Sequence, residues 1–327
     1  MRYVLAMDIG GTKIASALIP LEGDGGAAGG AAGGTSSTGS GAPQVLAKAE
    51  VATQAMEGGA AVLARVVALA LSQLEAALGL PGGGEVVAIG VGSAGVVDTA
   101  SGTITSATGT MPGWGGTELG RALREATGLP VTVIGDVGAH ALGEHVFGAG
   151  RGYPSTLVMG LGTGIGGALV EGSTVQVGAH NVAGHIGHVH HALAAGRDCS
   201  CGRQGHLEPI ASGSGIAAEY ARLSGREATG REVDDLAEAG DAVALQVVRT
   251  AGRATGESLG SLANILDPGV IVLSGSVVNS GRTWWNAVEA GWKDQAMDPV
   301  AGTPLVRGEL GGKAPLLGAA VATGLLD

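Results

Sequence analysis

Apolar positions along the chain fall into short runs that are separated by glycine-rich turns. Runs at 3–8 and 13–20 predict a β-hairpin around a glycine turn. Runs at 155–161 and 165–171 predict a second hairpin of the same kind. Further strands are predicted at 44–52, 86–91, 131–134 and 269–274, and helices at 59–79, 118–127, 137–147, 213–223, 240–266, 283–295 and 313–325. Strands mixed with helices, in a chain that begins with a hairpin, predict an α/β fold with two lobes.

One stretch departs from this pattern. Residues 22–43 are nearly all glycine, alanine, serine and threonine, and Pro43 closes them. Such a stretch buries too little apolar surface to offset the entropy lost on ordering. We therefore expect a flexible insertion between two strands, which acts as a linker and has no function of its own.

Composition and charge narrow the classes of partner. The chain has 327 residues, of which 45% are hydrophobic, so two lobes with ample cores are expected. The net charge of −11 argues against a nucleic-acid partner, because binding DNA requires a basic surface that displaces counterions. No apolar run approaches the length of a membrane-spanning helix, so no membrane partner is expected. The chain opens directly into a strand pattern without the layout of a signal peptide, which predicts a cytoplasmic location.

The first glycine turn carries residues suited to an anion. Gly10 and Gly11 let the backbone N–H groups approach a phosphate closely, and Thr12 and Lys13 add donors. Asp8, at the end of the preceding strand, can hold Mg²⁺ through water, since hard cations prefer carboxylate oxygen. The alternative is an ordinary hairpin turn with an acidic neighbour.

The second glycine turn repeats this arrangement at 161–167, where Thr163 and Gly164 lie between two strands. Two such loops in different lobes are suited to binding a polyphosphate. The chain lacks the Lys-Ser/Thr ending of a P-loop, and its glycines join strand to strand rather than strand to helix. Both a P-loop fold and a Rossmann fold are therefore disfavoured.

Four soft or borderline ligands lie close together in the sequence. They fit a closed tetrahedral Zn²⁺ site and are His188, Cys199, Cys201 and His206. The two cysteines of the chain are one residue apart, a spacing that favours a metal site in a reducing compartment over a structural disulfide. The alternative is a pair of free thiols among surface histidines. His190 and His191 are rival ligands, and we expect them to be solvated loop histidines instead.

Asp136 is the candidate base. It follows the predicted strand 131–134 and precedes a predicted helix, a common location for a catalytic side chain in α/β folds. Phosphoryl transfer needs such a group to accept the proton of the attacking hydroxyl. From its position alone, an aspartate here is more often a helix N-cap than a base.

Taken together, the two loops, Asp136 and the Gly-Val-Gly-Ser-Ala-Gly-Val-Val-Asp segment at 90–98 resemble the ROK family of sugar kinases and repressors. The resemblance spans essentially the whole chain. It implies a two-lobed actin-like, ribonuclease-H-like ATPase fold with a cleft between the lobes. We expect an N-terminal lobe at 1–117, to which the C-terminal helix 311–327 returns, and a C-terminal lobe at 118–310 with a zinc loop at 184–208.

The resemblance also implies roles for individual residues. Both glycine loops would bind the phosphates of ATP, Gly275 and Ser276 would lie near the adenosine, and Asp136 would be the base. Gly95 and Gly135 would lie at the sugar. The family usually carries asparagine where this chain has Gly135, and that asparagine binds a sugar hydroxyl.

The same resemblance places sugar-binding residues on the zinc loop. His188 and Glu208 would contact sugar hydroxyls, and zinc would fix the position of both. His185 stands where glucokinases of the family carry glutamate. Neutral imidazole both donates and accepts, whereas a carboxylate only accepts. We therefore expect His185 to donate to the carbonyl of an acetamido group.

The substrate is expected to be an N-acetylated hexosamine. Some bacterial N-acetylmannosamine kinases of the family have the same Ala-Gly-His-Ile-Gly-His run as 183–188, and the stretches 199–203 and 210–218 also resemble theirs. Ala94 replaces a proline that is usual in glucokinases. N-acetylmannosamine is the first choice, with glucose or N-acetylglucosamine as alternatives.

A sugar-responsive repressor and a non-catalytic sugar-binding protein are the two alternative functions. ROK repressors carry a helix-turn-helix ahead of the first glycine loop, and the position of Asp8 leaves no room for one here. A non-catalytic sugar-binding protein is the other alternative, motivated by Gly135 and His185. The family further implies a homodimer.

Overall fold

A computed structural model of the chain describes residues 1–21, 41–81 and 83–326. The chain forms two compact units, which we call unit 1 (Met1–Arg151 and Gly312–Asp327) and unit 2 (Gly152–Gly311). The flexible insertion predicted at 22–43 lies outside the described residues, apart from its last three positions.

The elements follow the predicted order with several additions. The strands are β1 (Arg2–Ile9), β2 (Lys13–Pro20), β3 (Leu46–Ala52), β4 (Glu85–Ser93), β5 (Val96–Asp98), β6 (Thr103–Ser106), β7 (Val131–Gly135), β8 (Ser155–Leu161), β9 (Ile165–Glu171), β10 (Thr174–Val175), β11 (Val270–Ser274) and β12 (Leu305–Arg307). The helices are α1 (Gly59–Leu78), α2 (Leu119–Thr127), α3 (Asp136–Phe147), α4 (Glu208–Ala211), α5 (Gly213–Ser224), α6 (Gly230–Glu238), α7 (Ala242–Leu266), α8 (Arg282–Gln295) and α9 (Ala314–Val321).

Unit 1 is built on a five-stranded sheet in the order β3-β2-β1-β4-β7. β1, β2 and β3 are antiparallel, whereas β4 runs parallel to both β1 and β7. Both β1 and β2 are continuous apolar runs because both of their faces are buried. Leu5 and Met7 of β1 share a core with Val62 and Val66 of α1. The predicted first hairpin is therefore confirmed.

Glycines bring the helices of unit 1 close to its sheet and to each other. A Cβ built on Gly90 of β4 would collide with the carbonyl oxygen of Ala319 in α9. One on Gly143 of α3 would collide with the carbonyl oxygen of Ala314. These positions thus exclude side chains, and α9 packs against both β4 and α3.

Unit 2 has a five-stranded sheet in the order β10-β9-β8-β11-β12. β8 and β9 form the predicted second hairpin, and β11 is parallel to both β8 and β12. The long helices α7 and α8 approach each other closely at three glycines of α7 that are spaced four residues apart. A Cβ on any of them would collide with α8 or with Ala296, the residue that follows α8; the glycines are Gly252, Gly256 and Gly260.

The division between the units differs from the expected one at residue 118. The structure assigns α2, β7 and α3 to unit 1, because β7 pairs with β4 from Ile89↔Val131 to Ser93↔Gly135. The C-terminal helix α9 is also part of unit 1. The unit boundaries thus lie at 151/152 and 311/312 rather than at 117/118 and 310/311.

Among the described helices, only α1 has the length and apolar composition of a membrane span. One third of the apolar stretch of α1 is buried within the protein, and its residues Val62, Val66 and Ala70 belong to the core of unit 1. The expectation that no apolar run reaches such a length is therefore too strong.

Candidate active site

The candidate base lies where strand β7 passes into helix α3. Gly135 is extended and occupies the N-cap, so Asp136 is the first helical residue and not the N-cap itself. Its Oδ1 accepts a hydrogen bond from the N–H of Val137 at 2.8 Å. The helix N-terminus favours a negative charge at this position. The structure thus removes the N-cap alternative and presents a carboxylate directly after the partly buried edge strand β7.

A second carboxylate lies near the first. Burial, followed by the charge of Asp136, raises the pKa of Asp8 to about 7, and Lys13 opposes this rise. Gly92, paired with Asp8 across the sheet, makes this proximity possible. A Cβ on Gly92 would lie 2.9 Å from Cβ of Ala139, 3.6 Å from Cα of Asp136 and 3.7 Å from Oδ1 of Asp8. Two neighbouring carboxylates of which one is buried suit a hard divalent cation.

The first glycine loop is held by a buried threonine that the sequence analysis did not single out. The Thr53 hydroxyl donates to the carbonyl of Gly10 at 2.6 Å, and its N–H donates to the carbonyl of Thr12 at 2.9 Å. The loop closes with a 3.0 Å hydrogen bond from the N–H of Gly10 to the carbonyl of Lys13. Gly11 and Thr12 are exposed at the surface of unit 1.

Lys13 differs from the free donor that the sequence suggested. Its ammonium group lies 3.1 Å from Glu50 of β3, which is also 3.0 Å from Lys48. All three side chains are exposed, so the pair contributes little to stability. Glu50 therefore competes with a phosphate for the ammonium group of Lys13.

The second glycine loop is fastened at three points within unit 2. The carbonyl of Gly162 accepts from the N–H of Gly213 at 2.8 Å, and that of Thr163 accepts from the hydroxyl of Ser214 at 2.6 Å. The N–H of Ile165 donates to the carboxylate of Glu208 at 2.9 Å. The loop residues predicted to bind phosphate are therefore rigidly supported.

The small segment 274–276 lies beside this loop. Gly275 has a φ of +100°, and a Cβ there would collide with the carbonyl oxygen of Leu161 at the end of β8. The hydroxyl of Ser274 is buried without a hydrogen-bond partner among the described residues. Gly275 therefore packs directly against the end of β8, from which the second glycine loop begins.

The four predicted metal ligands are brought together in unit 2. Their donor atoms all lie within 4.8 Å of one another; the residues are His188, Cys199, Cys201 and His206. Nδ1 of His188 lies 3.4 Å from Sγ of Cys199, and Nδ1 of His206 lies 3.3 Å from Sγ of Cys201. Ligands bound to Zn²⁺ at ordinary bond lengths are about 3.3–3.8 Å apart in a tetrahedron. The nitrogen and sulfur donors therefore fit a four-coordinate metal.

Protonation at this cluster also suits a metal. Burial lowers the pKa of His188, which favours the neutral imidazole that coordinates metals. Burial also raises the pKa of the Cys199 thiol in the metal-free protein. A bound cation would reverse this effect on the thiol, because its charge stabilises the thiolate.

The two rival histidines have different environments. His190 is exposed, and its ring packs against Gly205. His191 is buried, so its interpretation as a solvated histidine is wrong. Its Nδ1 accepts from the N–H of Leu193 at 3.2 Å, so Nε2 carries the proton of the neutral ring and faces Glu257 at 3.2 Å. His191 therefore anchors the metal loop to α7 and does not belong to the metal cluster.

The predicted sugar-binding side chains lie around this cluster. His185 is exposed and stacks on His188 with ring centroids 6.1 Å apart. Its Nδ1 donates to the carbonyl of Val182 at 3.0 Å, which leaves Nε2 as an acceptor in the neutral ring. The expectation that His185 donates to an acetamido carbonyl therefore fails for this tautomer. Glu208 accepts from the hydroxyl of Ser200 at 2.8 Å, a partner that the sequence did not reveal.

The remaining two predicted sugar residues are glycines of unit 1. Gly95 has a φ of +97°, and a Cβ there would lie 2.6 Å from the carbonyl oxygen of Ser106, so it is needed for the turn into the β5–β6 hairpin. Gly135 is different, because a Cβ there meets no heavy atom within 4 Å. A side chain could therefore leave the backbone at this position without a collision at Cβ.

Comparison with known proteins identifies the relatives of this chain. The sequence model of the ROK family matches residues 44–323. A glucokinase from Halalkalibacterium halodurans is 30% identical, over 92% of this chain and 88% of its own. An N-acetylmannosamine kinase from Yersinia pseudotuberculosis is 31% identical, over 84% of this chain and 82% of its own.

Solved structures agree with these sequence relatives. A ROK hexokinase from Thermus thermophilus has a TM-score of 0.80 at 32% identity and covers 98% of this chain and 97% of its own. A ROK family glucokinase from Streptomyces griseus, solved in complex with glucose and AMPPNP, has a TM-score of 0.72 at 28% identity, with 98% of both chains covered. The predicted two-lobed, actin-like ATPase fold is thereby confirmed.

Proposed function

Because this chain belongs to the ROK family, we propose that it transfers the γ-phosphoryl group of ATP to the 6-hydroxyl of an N-acetylhexosamine, with N-acetylmannosamine preferred. The chain is an ATP-dependent sugar kinase, and its relatives include glucokinases and an N-acetylmannosamine kinase. The observation that carries the proposal is the carboxylate of Asp136 at the N-terminus of α3, with Asp8 beside it across the closely packed Gly92.

Asp136 acts as the general base in this proposal. Its carboxylate accepts the proton of the sugar hydroxyl while the hydroxyl oxygen forms a bond to the γ-phosphorus and ADP leaves. Backbone N–H groups of the two glycine loops bind the phosphate oxygens, because glycine lets the backbone approach an anion closely. Asp8 would hold Mg²⁺ through water, and this ion would neutralise part of the phosphate charge.

The four-residue metal cluster supports the sugar-binding residues. We propose that His188, Cys199, Cys201 and His206 bind a structural Zn²⁺, since four protein ligands leave no open position for chemistry. The ion would fix the loop that carries His188. Metal analysis should find about one zinc per chain after gel filtration, and a metal-free protein of full activity would contradict this part of the proposal.

The choice of an N-acetylhexosamine is supported by the number of acceptors at His185. A glutamate at this position, as the resemblance implies for glucokinases, offers two oxygens to two neighbouring hydroxyls. His185 offers only Nε2, because Nδ1 is bonded to Val182. An acetamido group replaces one of those hydroxyls and adds a carbonyl oxygen, which a second carboxylate oxygen would repel, so a single acceptor suits it better. The motifs at 183–188 and 210–218 favour the same substrate.

Glucose is the second candidate substrate. The relative from Halalkalibacterium halodurans is a glucokinase at 30% identity, and the structure from Streptomyces griseus contains glucose. Nε2 of His185 can accept a hydrogen bond from a glucose hydroxyl as well as from an acetamido N–H. N-acetylmannosamine and glucose would therefore be phosphorylated by the same mechanism and would differ only in how well they bind beside His185.

A coupled ADP-release assay with Mg-ATP and a panel of hexoses and N-acetylhexosamines tests the proposal. We expect kcat/KM to be higher for N-acetylmannosamine than for glucose. His185→Glu should reduce the ratio of these two kcat/KM values, by an amount that corresponds to about 1 kcal/mol or more of transition-state binding free energy. His180→Glu, at an exposed histidine of the same loop, is the matched control and should leave the ratio unchanged. A preference for glucose would overturn the substrate, and no ADP release with any sugar would overturn the kinase.

The cellular setting completes the proposal. We place the enzyme in the cytoplasm, without a nucleic-acid partner, as a homodimer. Light scattering coupled to gel filtration measures the oligomeric state directly, and a monomer at micromolar concentration would contradict the dimer. The non-catalytic alternative predicts sugar binding without ADP release, which calorimetry and the coupled assay together distinguish.

A further inference from the structure

The second glycine loop depends on the segment that follows the metal ligand His206. The carbonyl oxygens of Gly162 and Thr163 both accept hydrogen bonds from the start of α5, namely from the N–H of Gly213 and the hydroxyl of Ser214. Neither of these two carbonyl groups can turn without breaking its contact to α5. The shape of the loop is therefore set by the location of α4 and α5, which begin directly after the metal cluster.

Glu208, the first residue of α4, adds a side-chain contact to the same loop. Its Oε2 accepts from the N–H of Ile165 at 2.9 Å, and its Oε1 accepts from the hydroxyl of Ser200 at 2.8 Å. Gly164 provides the space, because a Cβ there would lie 2.7 Å from Oε2. The direction in which the carboxylate points is thus determined jointly by the glycine loop and by Ser200.

Ser200 is itself fixed by its location between two cysteines. The turn that contains it is closed by hydrogen bonds from the N–H of Cys199 to the carbonyl of Arg203 at 2.7 Å and from the N–H of Gly202 to the carbonyl of Cys199 at 2.9 Å. Both neighbours, Cys199 and Cys201, have their sulfur atoms in the metal cluster. A hydroxyl at position 200 therefore reaches Glu208 from a rigid turn.

We propose that Ser200 is a positioning residue: through Glu208 it holds the second glycine loop in its nucleotide-binding shape. The cysteine turn then sets the affinity for nucleotide as well as for sugar, although neither Ser200 nor the cysteines contact a phosphate. This inference rests on the proposed function, because it requires that the loop binds ATP and that Glu208 contacts the sugar.

The expected effect follows from the loss of one hydrogen bond to a carboxylate. Ser200→Ala leaves Oε1 of Glu208 without its donor, so the carboxylate explores other rotamers and the contact to Ile165 weakens. We expect the Kd for AMPPNP and the KM for the sugar each to rise about three- to tenfold, with kcat changed less than about twofold. Ser200→Thr keeps the hydroxyl and should restore both constants.

Calorimetry with AMPPNP on the full zinc-loaded chain measures the nucleotide affinity without turnover. Zinc content is measured on the same samples, and Ser173→Ala, at an exposed serine in the turn after β9, is the matched control. The same Ser200→Ala change is also made in a Glu208→Ala background. There it should have no further effect, because the residue through which Ser200 acts is gone.

Each outcome separates this inference from the proposed function. If the wild-type chain binds AMPPNP and Ser200→Ala binds it as tightly as Ser173→Ala does, the inference is overturned and the kinase stands. Weaker binding with loss of zinc, or an undiminished effect of Ser200→Ala without Glu208, overturns the route through Glu208. A wild-type chain that neither binds AMPPNP nor phosphorylates any sugar overturns the proposed function and this inference with it.

Discussion

Replacing Asp8 by asparagine should stabilise the protein while removing its activity. Burial and the neighbouring Asp136 raise the pKa of Asp8 from 3.8 to about 7, so the folded state holds this proton more tightly than the unfolded state. For an acid with a raised pKa, stability falls as pH increases between these two values. One pKa unit corresponds to about 1.4 kcal/mol, so the wild-type chain loses at most about 4 kcal/mol by pH 8.

Asp8→Asn carries no charge at any pH and avoids this loss. In buffer without added Mg²⁺ we therefore expect the variant to match wild type near pH 4 and to exceed it by about 2–4 kcal/mol at pH 8. Added Mg²⁺ should narrow the difference, because a cation stabilises only the wild-type carboxylate. ADP release should fall strongly, since the cation site is lost.

Urea unfolding at pH 5 and pH 8 measures this difference directly. Glu85→Gln, at an exposed glutamate at the start of β4, is the control and should show no such pH dependence. A variant that is less stable than wild type at pH 8, or a difference that is equal at both pH values, would refute the account of two neighbouring carboxylates.

Three further predictions follow from single contacts. Gly92→Ala places a Cβ 2.9 Å from Cβ of Ala139, so it should lower the free energy of unfolding by about 1–3 kcal/mol. It should also lower kcat by a larger factor than it changes KM. The control Gly109→Ala, whose Cβ would have no heavy atom within 4 Å, should change neither stability nor kcat. Gly135→Asn restores the side chain usual in the family and should lower the sugar KM in steady-state kinetics, while a higher KM would show that the site has adapted to glycine. Glu219→Gln should destabilise the chain in urea at pH 7, because Arg222 and Arg197 lower the pKa of Glu219 to about 2, and the difference from wild type should shrink as pH falls from about 4.5 towards 2.

Much of the fold was accessible from the sequence because its signals are local. The two hairpins are continuous apolar runs bounded by glycines, and both are confirmed. α6 was missed although Thr229 and Glu232 form a capping box, a signal that the sequence does contain. β5, β6 and β12 are too short to show a period, and their pairing depends on residues elsewhere in the chain.

The division into units could not be obtained from local pattern. The expected lobe boundary at residue 118 failed because β7 pairs with β4 across a long separation in sequence. Apolar spacing shows that 131–134 is a strand but not which strand lies beside it. The same applies to α9, whose packing on α3 depends on glycines such as Gly143 and Gly318.

In the candidate site, too, features that depend on local sequence were predictable, whereas features that depend on tertiary contacts were not. The cluster of candidate metal ligands was predictable because four donors fall in one short stretch, and the structure brings these donors together. Thr53 and Gly92 were missed because each acts through a contact to a residue distant in sequence. His191 was misjudged for the same reason, because Glu257 on α7 accounts for its burial. Ser200 was missed because its contact to Glu208, eight residues away, depends on the shape of the turn between the two cysteines.

The central claim is that Asp136 accepts the proton of the sugar hydroxyl, and the turnover of Asp136→Asn tests it most directly. Asparagine keeps the size of the side chain and removes only the proton acceptor, so kcat in the ADP-release assay should fall by about 10²–10⁴-fold. The Kd for AMPPNP should stay within about twofold of wild type, and Asp98→Asn should leave kcat unchanged. A kcat for Asp136→Asn within about tenfold of wild type, on its best sugar, would contradict the account.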